Sequence, residues 1–247
     1  MRARRAEDYA PRPLRQAVGM RSRSVPRSLI IVALIASAVF IALTVIVTTN
    51  RSLAFDARAF AIASDLRVPW LTTAARVITT LGLIAVVGPV LLLGAALLLA
   101  RGHGPRAAAL VSGGALAWAS VWIAKTLVDR ARPPGALVHT AGQTYPSAHA
   151  ANSVGWPALA LVLAVVIPTR RGRVAAIVAG TAIAAFVGLS RIYLRAHFAS
   201  DVLAGYALSV TMYALAAIAV IASRARRKSA LSPRVDSDET SMRRARA

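Results

Sequence analysis

Cysteine is absent from the 247 residues. Disulfides and thiolate chemistry are therefore excluded, and the redox compartment is not legible from the sequence. Acidic residues are scarce as well, 9 against 30 lysines and arginines. A site of clustered carboxylates around two metal ions has few candidates, because only Asp129 and Asp201 lie near the polar motifs described below. Aromatic residues make up 6% of the chain. They do not interleave with its basic runs, so the excess positive charge does not read as a nucleic-acid-binding stripe.

What is abundant is aliphatic. Hydrophobic residues account for 57% of the chain, and they fall into blocks rather than alternating. A helix needs about 20 apolar residues to cross a bilayer. Six blocks approach that length, at 28–49, 82–100, 107–128, 149–168, 174–190 and 202–222. The fold class expected is all-α: a polytopic membrane protein built as a six-transmembrane-helix bundle. Short loops make the six spans one domain, and no internal repeat is visible. The apolar run that begins at residue 28 is too long for a signal peptide and no A-x-A pattern follows it, so it reads as an uncleaved first span.

Basic residues are distributed unevenly. Of the 30, 21 fall before the first span, in the second and fourth connections, or after the last span. Loops rich in Lys and Arg stay in the cytoplasm, which places both termini inside. Residues 1–27 and 223–247 are expected to be disordered basic cytoplasmic tails flanking a membrane domain at 28–222. Such tails suit anionic lipid head groups on the inner leaflet. The longest outer connection, 50–81, sets Leu53, Phe60 and Ile62 among charges, followed by Pro69 and Trp70. This pattern predicts short amphipathic helices lying in the interface.

Under that topology three polar clusters share the outer face. KTLVDRARPP closes the third span, TYPSAHAANS opens the fourth, and SRIYLRAHFASD joins the fifth to the sixth. Ionisable residues are costly near lipid unless they face a site or water. In the last cluster His197 and Asp201 are spaced i, i+4, so a carboxylate can accept an imidazole N–H and fix its tautomer. A bend near Ala196 would bring Arg191, from the end of span five, to the same place. Pro146 suits a helix start, where free N–H groups favour an anion. Ser147 adds a hydroxyl there, and His149 can supply a proton. Arg132 can grip phosphate oxygens with two N–H groups, while Lys125 acts as a point charge. Arg130, Asp129, His139 and Arg195 read as surface residues, and His103 as solvated.

In order and spacing the three stretches resemble the type 2 phosphatidic acid phosphatase (PAP2) superfamily of integral membrane lipid phosphatases. The Lys-x6-Arg-Pro pattern reads Lys125, Arg132, Pro133, and Ser-Arg-x5-His-x3-Asp reads Ser190, Arg191, His197, Asp201. Pro-Ser-Gly-His reads Pro146, Ser147, Ala148, His149, with Ala148 in place of the family glycine. The resemblance implies that His197 attacks phosphorus, Asp201 supports it and His149 protonates the leaving oxygen. It implies that Lys125, Arg132 and Arg191 bind the phosphate, with Ser147 and the Ala148 N–H aiding the transition state. No metal and no cofactor is expected. The partners implied are a lipid phosphate and the membrane lipids, with no nucleic acid, and the oligomeric state is not legible. The expected activity is hydrolysis of a lipid phosphate or diphosphate at the outer face, such as undecaprenyl diphosphate, phosphatidylglycerophosphate or phosphatidate. A lipid phosphotransferase using the same phosphohistidine is the nearest alternative. A transporter or scaffold is disfavoured, since transporters place such groups near the midplane.

Overall fold

The computed structural model of the chain describes residues 24–49 and 54–231. The expectations for 1–23 and 232–247 lie outside the described residues. The described residues form nine helices: α1 (Arg27–Thr48), α2 (Ala54–Asp65), α3 (Pro69–Thr80), α4 (Ile84–Ala100), α5 (Gly104–Leu127), α6 (Ala148–Ser153), α7 (Gly155–Leu163), α8 (Arg170–Tyr193) and α9 (Ala199–Leu231). Helix α9 thus occupies 223–231, the start of the stretch expected as a tail.

Four helices are long and apolar enough to cross a bilayer: α1, α5, α8 and the Ala199–Arg227 part of α9. The α3–α4 pair, bent by 48° at its break, makes a fifth if it is one span. Many large apolar side chains on α1, α4 and α8 point outward, including Leu34, Leu93 and Leu189. Apolar residues both inside and outside are what a bundle in lipid requires. The expected fourth span appears instead as two short helices, α6 and α7. The break at Val154 has a local cause: Pro157 lacks an N–H, and its ring crowds the carbonyl four residues earlier, on Ser153.

Helix α9 is the centre of the bundle, packed against α1 and α5. Its buried face is mostly small, with Ala204, Ala207, Ser209, Ala214 and Ala216 beside Val202, Leu208 and Thr211. Small residues let helix backbones approach closely. Gly205 shows how this positions the site, because a Cβ there would lie 2.5 Å from the Ser147 carbonyl oxygen. Gly82, at the α3–α4 break, plays the same part on the other side, where a Cβ would sit 2.7 Å from the His149 carbonyl oxygen. Helix α6 is therefore wedged beside α9 and α8, with its N-terminus level with the end of α5, the end of α8 and the start of α9.

Candidate active site

The turn between α8 and α9 carries the histidine. Arg195 adopts φ 50 and reverses the chain, so His197 precedes α9 instead of opening it. Asp201, in the first turn of α9, is fully buried. Its Oδ2 accepts from the Phe198 N–H at 2.9 Å and from the Thr144 hydroxyl at 2.7 Å. His197 Nδ1 is 3.0 Å from Thr144 Oγ1 and 3.5 Å from Asp201 Oδ2. Since the Thr144 proton goes to the carboxylate, its oxygen must accept from Nδ1–H. The threonine thus bridges histidine and aspartate, and the lone pair lies on Nε2. Burial, helped by Arg191 and Arg132 and opposed by Asp201, pushes His197 down to about 4. A neutral imidazole with a free Nε2 is the nucleophilic form.

Arg132 stands in front of that nitrogen, its Nη1 3.5 Å from Nε2. Its other contacts are carbonyls: Gly142 and Ala141 at 2.9 and 2.7 Å, Gln143 at 3.4 Å, and Ala196 at 2.8 Å. The guanidinium therefore folds the 133–143 loop around itself and spares about one N–H for a ligand. The free two-pronged grip expected from the sequence is not the arrangement here. Lys125 is buried and donates to the same Gln143 carbonyl at 2.7 Å. Arg191, also buried, donates from Nη1 to Thr79 Oγ1 at 3.0 Å, while its Nε has no protein partner. An unpaired buried N–H of a cation is costly unless an anion meets it.

The second motif caps a helix. Ser147 Oγ accepts from the Ala150 N–H at 3.4 Å, and its own N–H donates to the Asp201 carbonyl at 3.0 Å. Its hydroxyl proton remains for a ligand. Ala148 begins α6 in ordinary helical geometry. His149 follows, half-buried, within electrostatic range of Arg191, His197, Arg132 and Lys125. All eight residues singled out from the sequence thus belong to one layer at one end of the bundle. Among the described residues no three His, Asp or Glu side chains gather as a metal-ligand set.

Four residues at the site were missed from sequence. Thr144 and Thr79 were not singled out, and nothing in their spacing marks them. Arg130 was read as a surface residue, yet its Nη1 pairs with Asp201 Oδ1 at 2.5 Å. Its spacing of two residues from Arg132 was the available signal. Asp56, on α2 in a stretch read as interfacial, is buried against Ser200 and Arg130.

These features define a multi-pass helical membrane protein with a basic, histidine-bearing site at one end of its bundle. The PAP2 superfamily model matches residues 106–226, so the chain carries a PAP2 superfamily domain over that segment, just under half of its length. All eight motif residues fall inside the matched segment, whereas Asp56 and Thr79 fall outside it. Phosphatidylglycerophosphatase B of Bacillus subtilis (strain 168) is 36% identical over 97 residues, 38% of this chain and 47% of the relative. The chain thus spans about half the length of that curated relative. The crystal structure of the first transmembrane PAP2 type phosphatidylglycerolphosphate phosphatase from Bacillus subtilis matches with a TM-score of 0.68 and 26% identity. That match covers 74% of this chain and 93% of the other. Aquifex aeolicus LpxE shares the fold, with a TM-score of 0.54, 20% identity, and coverage of 68% and 97%.

Proposed function

We propose that the protein is a lipid phosphatase that hydrolyses a lipid phosphate or diphosphate through a phosphohistidine on His197. The observation that carries this reading is the polarity of His197. Its Nδ1 is tied to Thr144 and Asp201, and its Nε2 faces Arg132, with Arg191 in electrostatic range of the ring. In the first step the Nε2 lone pair attacks phosphorus and the bond from phosphorus to the lipid-borne oxygen breaks. His149 gives its proton to that oxygen. In the second step water attacks the phosphohistidine, His149 takes the water proton, and the N–P bond breaks to release phosphate. Asp201 stabilises the charge that grows on the imidazole. Lys125, Arg132 and Arg191 offset the negative charge of the equatorial oxygens, which is the main task in phosphoryl transfer. Ser147 and the Ala148 N–H add donors.

The reading extends to topology. Helices α1, α4, α5, the α6–α7 pair, α8 and α9 are taken as six spans, with α2 and α3 in the outer interface. Both termini are then cytoplasmic by the distribution of Lys and Arg, and the site is at the outer face. Phosphatidylglycerophosphate heads the substrate classes, since the Bacillus subtilis curated relative and the Bacillus subtilis crystal structure are both named for it. Undecaprenyl diphosphate and phosphatidate follow.

Purified protein in detergent, given this panel of lipids in EDTA, is expected to release inorganic phosphate from at least one. No release from any of them, or turnover only when magnesium is restored, overturns the reading.

A further inference from the structure

The carboxylate of Asp56 takes no part in the steps above, yet it is buried at 5% exposure, 144 residues away in sequence from its partner Ser200. A buried charge is destabilising unless it is paired and hydrogen-bonded. Here every contact leads toward Asp201. Asp56 Oδ1 accepts from the Ser200 N–H at 2.8 Å, and Oδ2 accepts from the Ser200 hydroxyl at 2.7 Å and from Arg130 Nη2 at 3.2 Å. Arg130 Nη1 then reaches Ser200 Oγ at 2.7 Å and Asp201 Oδ1 at 2.5 Å. The guanidinium carbon lies over the Phe198 ring, 4.1 Å from its centroid, and Phe198 packs on Phe60 of α2. Asp56 and Phe60 are one helical turn apart, so a single face of α2 clamps Arg130 both directly and through Phe198.

The consequence falls on the two oxygens of Asp201. Rotation about the carboxylate bond is soft, and its two-fold well is broad. Arg130 occupies Oδ1, which leaves Oδ2 alone to face Thr144 and His197. We propose that Arg130 and Asp56 are positioning residues for His197. Asp56 fixes Arg130, and Arg130 fixes the Asp201 orientation that keeps His197 in its Nδ1–H form with Nε2 free. This rests on the phosphohistidine reading for its kinetic consequence but not for its geometry. Asp56 lies outside the segment matched by the family model, so its role follows from how α2 docks.

The test compares Arg130→Met, Asp56→Asn, the double variant and Arg130→Lys in the full chain, with Arg58→Gln on the exposed side of α2 as control. With phosphatidylglycerophosphate, Arg130→Met and Asp56→Asn are expected to lower kcat by roughly tenfold to a hundredfold, the range lost with partners that orient a functional histidine. KM should change less than about threefold, because neither residue faces the phosphate. The double variant should be no slower than Arg130→Met, as expected for two groups acting as one unit. Arg130→Lys keeps the charge but cannot span both carboxylates. It should fold and still lose about tenfold in kcat, while Arg58→Gln turns over like the unmodified chain. Separately from turnover, nitrogen NMR of ring-labelled histidine, assigned with His197→Gln, should show His197 shifting from Nδ1–H to a tautomer mixture in Arg130→Lys. Release of phosphate by the unmodified chain with kcat retained in folded variants overturns the positioning role. An unchanged His197 tautomer overturns it as well. A tautomer change in a chain that releases no phosphate upholds the positioning role and instead overturns the substrate reading.

Discussion

Two regions contribute to one site in opposite ways. The α8–α9 junction, 190–201, holds Arg191, His197 and Asp201 within twelve residues, and its chemistry stands out against an aliphatic background. The α2–α3 stretch, 54–80, presents a scatter of small, polar and apolar residues with no motif. Even so, Asp56 of α2 braces Arg130, and Thr79 of α3 accepts from Arg191. The first region supplies the groups proposed to meet the phosphate; the second makes contacts that hold those groups in place. A short spacing pattern can encode the first kind of group. The second arises from docking across more than 100 residues, as with Thr79 and Arg191 at a separation of 112.

The comparison is sharpened first at the junction. His197→Ala removes the proposed nucleophile, a buried side chain whose ring nitrogens meet Thr144, Asp201 and Arg132. Turnover is expected to fall by at least about a thousandfold, as when a member of a catalytic triad is removed. The protein should elute from size exclusion like the unmodified chain. Rapid quenching with labelled lipid phosphate should trap an acid-labile phosphoenzyme in the unmodified chain and none in the variant. Turnover near that of the unmodified chain would move the nucleophile elsewhere.

The same residue sets a pH limb. In the proposed mechanism His197 reacts as the neutral base, and its surroundings push it down to about 4. Activity in the free enzyme should thus be present above this value and lost as pH falls through it, about tenfold per unit below. An acid limb of kcat/KM near 6.5, the ordinary histidine value, would mean that the buried setting does not govern the reacting group.

How much was legible follows the same division. Lys125, Arg132, His149, Arg191 and His197 stood out because Lys, Arg and His are rare inside apolar blocks, where each needs a reason. Asp201 and Ser147 followed from their spacing to these groups, and Ala148 from the family pattern alone. The helical class and most span boundaries were readable from block length, and α5 and α8 fall within a few residues of expectation. The break within 149–168 was not foreseen, although Pro157 marks it. Hydropathy averages over a window and hides a single missing N–H. Arg132 was foreseen as a ligand-binding residue but not as the organiser of its own loop, because carbonyl contacts leave no trace in residue type. Thr144 was missed for a similar reason: its bridging role depends on where the loop places one hydroxyl.

A milder break is available at α3. Thr79→Val keeps the shape and removes the oxygen that accepts from Arg191 Nη1 at 3.0 Å. A hydrogen bond to a charged group contributes about 1.5–3 kcal/mol. If Thr79 fixes Arg191, kcat/KM should fall by roughly tenfold or more with the charge still present. Arg191→Met, which removes the charge, should cost about 2–4 kcal/mol by analogy with loss of an oxyanion donor. Equal losses would assign the whole effect to orientation. No loss in Thr79→Val would leave α3 with no part in the chemistry.

The smallest effect is expected where the chain departs from the PAP2 pattern. Ala148 stands where the PAP2 pattern has glycine, and a glycine is needed only if the backbone there is left-handed or another atom fills the Cβ position. Neither condition holds. Among the described residues Arg195 is the non-glycine with positive φ, so Ala148 lies in ordinary helical territory as the first residue of α6. Its side chain packs against the cluster of Val121, Ala124, Ala151 and Leu208. The backbone N–H it offers is the same one a glycine would offer. Ala148→Gly should therefore change kcat and KM by less than about twofold. Stability should fall slightly, since the methyl contact contributes about 0.8 kcal/mol when fully buried and glycine adds backbone freedom to the unfolded chain. The loss is expected at about 0.5–1 kcal/mol, read as a small drop in Tm by tryptophan fluorescence. A rise in kcat of tenfold or more would show instead that the methyl group crowds the phosphate. The alanine would then act as a brake on the site rather than as a substitute for glycine.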